Sequence, residues 1–301
     1  MGASLVTFNL HGELGNQMFQ WATGLSFSIK HEAPVAFSAL PGVVPRMSEF
    51  KSANRFEVNE TKKIDLPKSF LSKVSRRLNL EYPLGNIFNE KGLNFQSLQF
   101  EEDFIYHGYF QSWRYFHSIR DRLILEFELI DPSPLYYSLE KSLPKSFTGI
   151  HIRRGGAGAA ILSSDYHGLL DAEYYKRAID LNMKLGGSQE YVIFTDNPDR
   201  AQETLDSINL GDVRILGPKD AHSQCENLLL MTKATSFIGA NSSYSWWAAY
   251  LNQKLITQPI FPRQWYMDPD LSNNDMLLPD WLSIGFEKFL NEEVTRGINL
   301  E

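Results

Sequence analysis

The sequence predicts an α/β protein of two domains, with a parallel sheet in the carboxy-terminal one. Three observations carry this. The 301 residues are 43% hydrophobic and 22% charged, an ordinary globular balance in a chain long enough for two domains. The chain opens on a strand, a glycine loop and a helix. After Lys145, apolar strand-like runs alternate with helix-length amphipathic stretches, the pattern of a parallel sheet covered by helices.

Leu5 to Leu10 reads as the first strand, His11 to Gln17 as a turn, and Met18 to Lys30 as a helix. Asn16 and Gln17 at this turn serve either helix capping or hydrogen bonding to a polyol or phosphate. From Ala33 to about Gly92 the chain reads as irregular, punctuated by Pro34, Pro41, Pro45, Pro67 and Pro83. Within it, Leu66, Phe70, Val74 and Leu78 recur every four residues among Lys68, Lys73, Arg76 and Arg77, a basic amphipathic helix suited to its own domain or to an anionic membrane face.

Phe104 to Tyr106 reads as a strand and is followed by the aromatic run Gly108 to Phe116. Tyr109, Gln111 and Trp113 there suit stacking on sugar faces or, equally, a core edge. A helix from Trp113 to Phe127 closes the first domain, Pro132, Pro134 and Pro144 mark a connection, and the boundary is expected at 145/146. In the second domain, strands are expected at Phe147–Ile152, Tyr191–Phe194, Val213–Leu216, Thr235–Gly239 and Lys254–Thr257. Helices are expected at Asp171–Lys184, Pro198–Ser207, Ser223–Lys233 and Ser243–Asn252.

The strand Phe147–Ile152 ends in Arg153 and Arg154. Paired guanidiniums at a strand end grip a diphosphate or join surface salt bridges. Ligands of parallel sheets bind at the carboxyl ends of the strands, so Arg153, Arg154, Asp196 and the run Asn241-Ser242-Ser243-Tyr244-Ser245 are expected in one crevice. Hydroxyls and N–H groups at a helix start make a second anion cradle opposite the arginines.

A net charge of -7 disfavours a nucleic-acid partner, so any phosphate site is local. One cysteine, Cys225, excludes an intrachain disulfide and a cysteine zinc cluster, in keeping with a reducing, cytoplasmic setting. No window reaches the roughly 20 apolar residues of a membrane span, and no signal peptide is read at the amino terminus.

Taken together, His11 to Ala22, Gly108 to Phe116, His151 to Arg154, His167-Gly168, Tyr174-Tyr175, Leu228 to Met231 and Asn241 to Trp247 resemble the α-1,2-fucosyltransferase family of bacterial type, in the family's order. The resemblance implies a GT-B-like fold: two Rossmann-type domains, here 1–145 on the acceptor side and 146–301 on the GDP-sugar side, with the nucleotide-sugar site between them. It implies inverting transfer of L-fucose from GDP-fucose to the 2-hydroxyl of a β-galactoside, with no metal and no cofactor beyond the donor. It gives Arg154 to the β-phosphate, Arg153 to the phosphate or fucose, and the donor to Asn16, Gln17, His151, Asp196, Glu226, Asn227 and Asn241 to Ser245. Tyr109, Gln111 and Trp113 fall on the acceptor side.

The chain departs from the family twice. Gly156 stands where an Asp is usual, which leaves Asp165 or His167 as candidate bases. Asn227 stands where an Asp would accept two guanine N–H groups, with Glu226 as a substitute. These departures open an altered donor or acceptor preference, or a binding relative without catalysis. A lipid-linked glycan acceptor at the inner membrane face would give the Leu66 to Leu80 helix a use.

Overall fold

The computed structural model describes residues 6–40, 42–54, 58–60, 87–100, 104–155, 168–266 and 275–285. The chain forms two compact units. Unit 1 comprises Met1–Ser48 and Ser52–Ile119, and unit 2 comprises Glu49–Lys51 and Arg120–Glu301.

Unit 1 is built on a parallel sheet of β1 (Val6–Leu10), β2 (Val35–Ala39), β3 (Val58–Glu60), β4 (Ile87–Asn89) and β5 (Ile105–His107), in the order β3-β2-β1-β5-β4. Helix α1 (Leu14–His31) links β1 to β2, and Glu32 ends it in the left-handed conformation, φ 49°. One sheet face is an aromatic core. Phe8 packs on Phe27, Phe37, Tyr106 and Phe110, and all five rings are buried. Gly24 of α1 has no room for a side chain, since a Cβ there would lie 2.7 Å from the Phe37 ring.

The stretch expected to be irregular, Ala33 to Gly92, therefore holds three strands. β3 and β4 are only three residues long, too short for the alternation that identifies a strand. The first helix begins at Leu14 rather than Met18, with Glu13 as its cap, so Asn16 lies inside the first turn. The expected helix Trp113 to Phe127 is two 3-10 turns, Trp113–Tyr115 and His117–Ile119, followed by α2 (Arg120–Glu126).

Unit 2 carries a six-stranded parallel sheet of β6 (Thr148–Ile152), β7 (Tyr191–Thr195), β8 (Arg214–Leu216), β9 (Ser236–Ile238), β10 (Ile260–Pro262) and β11 (Leu282–Ile284). Their order is β11-β10-β9-β6-β7-β8. Every residue of β6 is buried, as expected of a parallel strand covered on both faces. The connecting helices are α3 (Pro134–Ser142), α4 (Ala172–Lys184), α5 (Pro198–Ile208), α6 (Gln224–Met231) and α7 (Ser243–Leu251). Four of the five expected strands stand within about two residues of their positions. The fifth does not: Lys254–Thr257 is non-strand chain, and the edge of the sheet is made by β10 and β11.

The division between units falls at Ile119/Arg120, not at 145/146, because the connecting segment is tied to unit 2. Arg120 donates to the Tyr250 carbonyl at 3.0 Å and the Asn252 carbonyl at 3.2 Å. Phe127 packs edge-on against Trp247, and Glu226 accepts from the Ser133 N–H and hydroxyl at 2.7 and 2.9 Å. Glu49–Lys51 joins them through Lys51 N–H to Glu128 and Ile130 N–H to Glu49. No helix among the described residues is long and apolar enough to cross a membrane. The Leu66 to Leu80 segment lies outside the described residues.

Candidate active site

In unit 2 the strand order reverses between β6 and β9, whose pairing is Ile150 with Ile238. The carboxyl ends of these two strands flank the position where an open α/β sheet forms its crevice. His151, Arg153 and Arg154 come from one side, and Asn241 to Ser245 from the other.

The two arginines have different environments. Arg154 is 7% exposed, and its guanidinium turns into the unit. It donates through Nε to Thr204 Oγ1 at 3.1 Å, through one terminal nitrogen to the carbonyls of Arg153 and Leu170 at 3.1 and 3.0 Å, and through the other to Thr204 again. The Tyr175 ring lies 5.7 Å from it. Arg153 is half-buried, and its guanidinium has no hydrogen bond or ion pair among the described residues.

Asp196 follows β7 and fixes the turn that separates them. Its carboxylate accepts from the Arg154 N–H at 2.7 Å and the Gly155 N–H at 3.0 Å, and Arg200 donates to the Arg154 carbonyl at 3.1 Å. Gly155 has φ 75°, a conformation that a side chain would strain. From α4, Tyr174 donates to the Gly239 carbonyl at 2.7 Å and Tyr175 to the His151 carbonyl at 3.3 Å, so adjacent tyrosines hold the ends of both strands. Burial raises the Tyr175 hydroxyl to about 12. Gly239 is dictated by close packing, since a Cβ there would lie 2.1 Å from the Phe261 ring.

On the β9 side, Ser245 turns inward, donating to the carbonyls of Ala240 and Ser242 at 3.0 and 3.1 Å. Tyr244 donates to the Gln224 carbonyl at 2.6 Å, and its ring stands 5.8 Å from His151. Ser242 is the N-cap of α7, yet its hydroxyl makes no capping bond. Asn241 is buried and donates to the Gly168 carbonyl at 3.3 Å. Burial lowers the His151 imidazole to about 4; Asp196 opposes this and Arg153 adds to it, so the ring is neutral near pH 7. Its Nδ1 is buried without a hydrogen-bond partner among the described residues.

In unit 1, Gln17 is consumed by the scaffold. Its amide donates to the carbonyls of Gly12 and Val44 at 3.0 and 2.9 Å and accepts from the Arg46 N–H at 2.9 Å. Asn16 accepts from the Gln111 amide at 2.8 Å. Tyr109 is 40% exposed, while Gln111 is buried and Trp113 sits edge-on to His117.

A family model described as glycosyl transferase family 11 matches residues 2–285. This chain belongs to glycosyltransferase family 11. Three relatives share about a quarter of its residues. The O-antigen biosynthesis glycosyltransferase WbnK of Escherichia coli is 26% identical over 91% of this chain and 99% of its own length. An alpha-1,2-colitosyltransferase of the same species is 25% identical, over 93% and 99%. Galactoside alpha-(1,2)-fucosyltransferase 2 of Gorilla gorilla gorilla is 25% identical, over 81% and 68%.

Several residues expected at the donor have structural partners in this glycosyltransferase. The Arg154 guanidinium, Glu226, Ser245 and Gln17 hold loops and helix starts, because each is buried and needs its hydrogen bonds met inside the protein, and the half-buried Asp196 holds the Arg154–Gly155 turn. Both carboxylate oxygens of Glu226 are engaged by Ser133, one by its N–H and the other by its hydroxyl. Asn227 has a buried Oδ1 with no hydrogen-bond partner among the described residues. Asp165, His167 and Gly156 lie outside the described residues. Thr204 was missed by sequence reading. It sits mid-helix with no motif, and only its Arg154 contact reveals it. Tyr174 and Tyr175 carried a signal, their fixed distance from the arginines.

Proposed function

We propose that this family 11 glycosyltransferase moves L-fucose from GDP-fucose to the 2-hydroxyl of a terminal β-galactoside, with inversion and without a metal or cofactor. The galactoside alpha-(1,2)-fucosyltransferase relative supports the donor and acceptor. The observation that carries the mechanism is the contrast between a satisfied Arg154 and an Arg153 whose guanidinium has no partner among the described residues, at the same strand end.

As the bond from the sugar C1 to the β-phosphate oxygen breaks, negative charge gathers on GDP. The Arg153 guanidinium meets that charge, and the α7 start, uncapped by Ser242, adds its N–H dipoles. The acceptor hydroxyl forms the new bond from the opposite face of C1, which inverts it. Its proton passes to Asp165 or His167, since Gly156 offers no carboxylate. Arg154 acts indirectly, holding the turn from which Arg153 projects.

A second reading is favoured by the colitosyltransferase relative: the donor carries colitose rather than fucose. Calorimetry with EDTA present tests both. The proposal expects GDP and GDP-fucose to bind without added metal, and R153A to weaken both. Preference for the colitosyl nucleotide in a competition assay read by product mass would move the assignment to the second reading. Loss of all transfer in EDTA, restored by a divalent cation, would contradict metal independence.

A further inference from the structure

Unit 2 contains three residues from the amino-terminal part of the chain. Glu49–Lys51 belongs to unit 2, while Ser48 before it and Ser52 after it belong to unit 1. The graft is an ordered strap. Phe50 bridges Leu129 in antiparallel fashion, the Glu49 carbonyl accepts from the Ile130 N–H at 2.9 Å, and the Lys51 N–H donates to the Glu128 carbonyl at 2.8 Å. Lys51 Nζ also meets the Glu128 carboxylate at 2.5 Å.

The Glu49 side chain works on a helix start. Its carboxylate accepts from the hydroxyl of Ser223, the N-cap of α6, and the Ser223 oxygen in turn accepts from the Glu226 N–H at 3.1 Å. A hydroxyl has one proton, so giving it to Glu49 turns the lone pairs of Ser223 toward the helix. The carboxylate also stands where a helix start favours negative charge. Next to the cap, the Gln224 carbonyl accepts from the Tyr244 hydroxyl at 2.6 Å, and Tyr244 lies in the first turn of α7. Glu49 therefore fixes α6 at the point that holds α7.

Phe50 anchors the strap on the same helix. It is fully buried and packs edge-on against Phe127 at 5.4 Å, which packs edge-on against Trp247 of α7 at 5.1 Å. The start of α7 has no capping bond from the Ser242 side chain, so lateral contacts of this kind set its place.

We propose that Glu49 is a positioning residue for the nucleotide, acting through Ser223 and α6 on the start of α7. The proposal rests on the reading above, in which the α7 start meets the GDP diphosphate. In this role Glu49 touches no substrate. It keeps the N–H groups of α7 at one place and angle, so that their dipoles add to the charge of Arg153.

The test is calorimetry with GDP on E49A, E49Q, S223A and the double variant, with amide hydrogen exchange measured on the same proteins. E49A should weaken GDP by about fivefold, the size of one helix-terminus interaction. The amides of Trp246 and Trp247 should exchange faster, while those of β7 keep the wild-type rate. E49Q, which retains an acceptor for Ser223, should recover most of both losses. S223A should match E49A, and the double variant should lose no more than either, since both break one linkage. Glu49 is half-buried, so E49A spares the packed core. Unchanged GDP affinity in E49A overturns the proposal, as do additive losses, or an equal rise of exchange in α7 and β7, the mark of general destabilisation. Absence of GDP binding by the wild type contradicts the proposed function itself, and the role of Glu49 falls with it.

Discussion

Replacing Arg153 and Arg154 separately by Ala should produce opposite failures. R154A removes a guanidinium that is 7% exposed and leaves Thr204 Oγ1 and the Leu170 carbonyl without their donor. Two unmet buried acceptors and a lost polar side chain cost about 3–5 kcal/mol in total. At ~2–4 °C per kcal/mol for a domain of this size, the melting midpoint should drop by about 6–20 °C. R153A breaks no bond among the described residues, so its stability should stay within about 0.5 kcal/mol of wild type. GDP should instead lose one charge-assisted partner, ~1.5–3 kcal/mol or about ten- to a hundredfold in affinity. Differential scanning fluorimetry and calorimetry with GDP read both quantities. An R154A protein with an unchanged midpoint and abolished GDP binding would refute the division of roles.

The turn between them should be equally sensitive. D196N keeps one acceptor and faces the second backbone N–H with an amide donor, so it should destabilise by about 1.5–3 kcal/mol in urea unfolding. Gly155→Ala forces a side chain into φ 75° and should cost about 1–2 kcal/mol in the same assay, with Gly155→Asn milder. Stability should also vary with pH in two opposed ways. His11 and His151 are lowered from 6.5 to about 4 by burial, so their contribution is full above pH 6.5 and is lost as pH falls toward 4. Glu90 is raised from 4.5 to about 7 by burial, so its contribution is full below pH 4.5 and is lost as pH rises toward 7. E90Q should therefore flatten the fall between pH 4.5 and 7, and unfolding titrations that keep the wild-type slope would contradict the buried carboxyl.

Much of the carboxy-terminal unit could be read from the chain because each element there carries its own signal. β6 is a short strand-like run followed by two arginines, and α7 starts at a serine cluster. Unit 1 was less legible. β3 and β4 owe their existence to neighbours in a parallel sheet, and three residues cannot show a period. The domain boundary was misplaced because prolines at 132, 134 and 144 look like a linker. The deciding contacts, Arg120 to Tyr250 and Ser133 to Glu226, join residues about a hundred positions apart. Side-chain direction was the least accessible property of all. Adjacent Arg153 and Arg154 look interchangeable in sequence, and the partners of the Arg154 guanidinium, Thr204 on α5 and the Leu170 carbonyl, are what set the two apart. Likewise, Gln17 and Glu226 read as ligand groups until their backbone partners are seen.

The bond that this glycosyltransferase makes can be read directly from its product. Purified protein, GDP-fucose and a β-galactoside such as lactose should be incubated in EDTA, and the product examined by NMR and by methylation analysis of its linkage. One added fucose, α-linked to the 2-hydroxyl of the galactose, is the expected product. A product fucosylated at another hydroxyl, a β-linked product, or GDP release without transfer to any β-galactoside would contradict it.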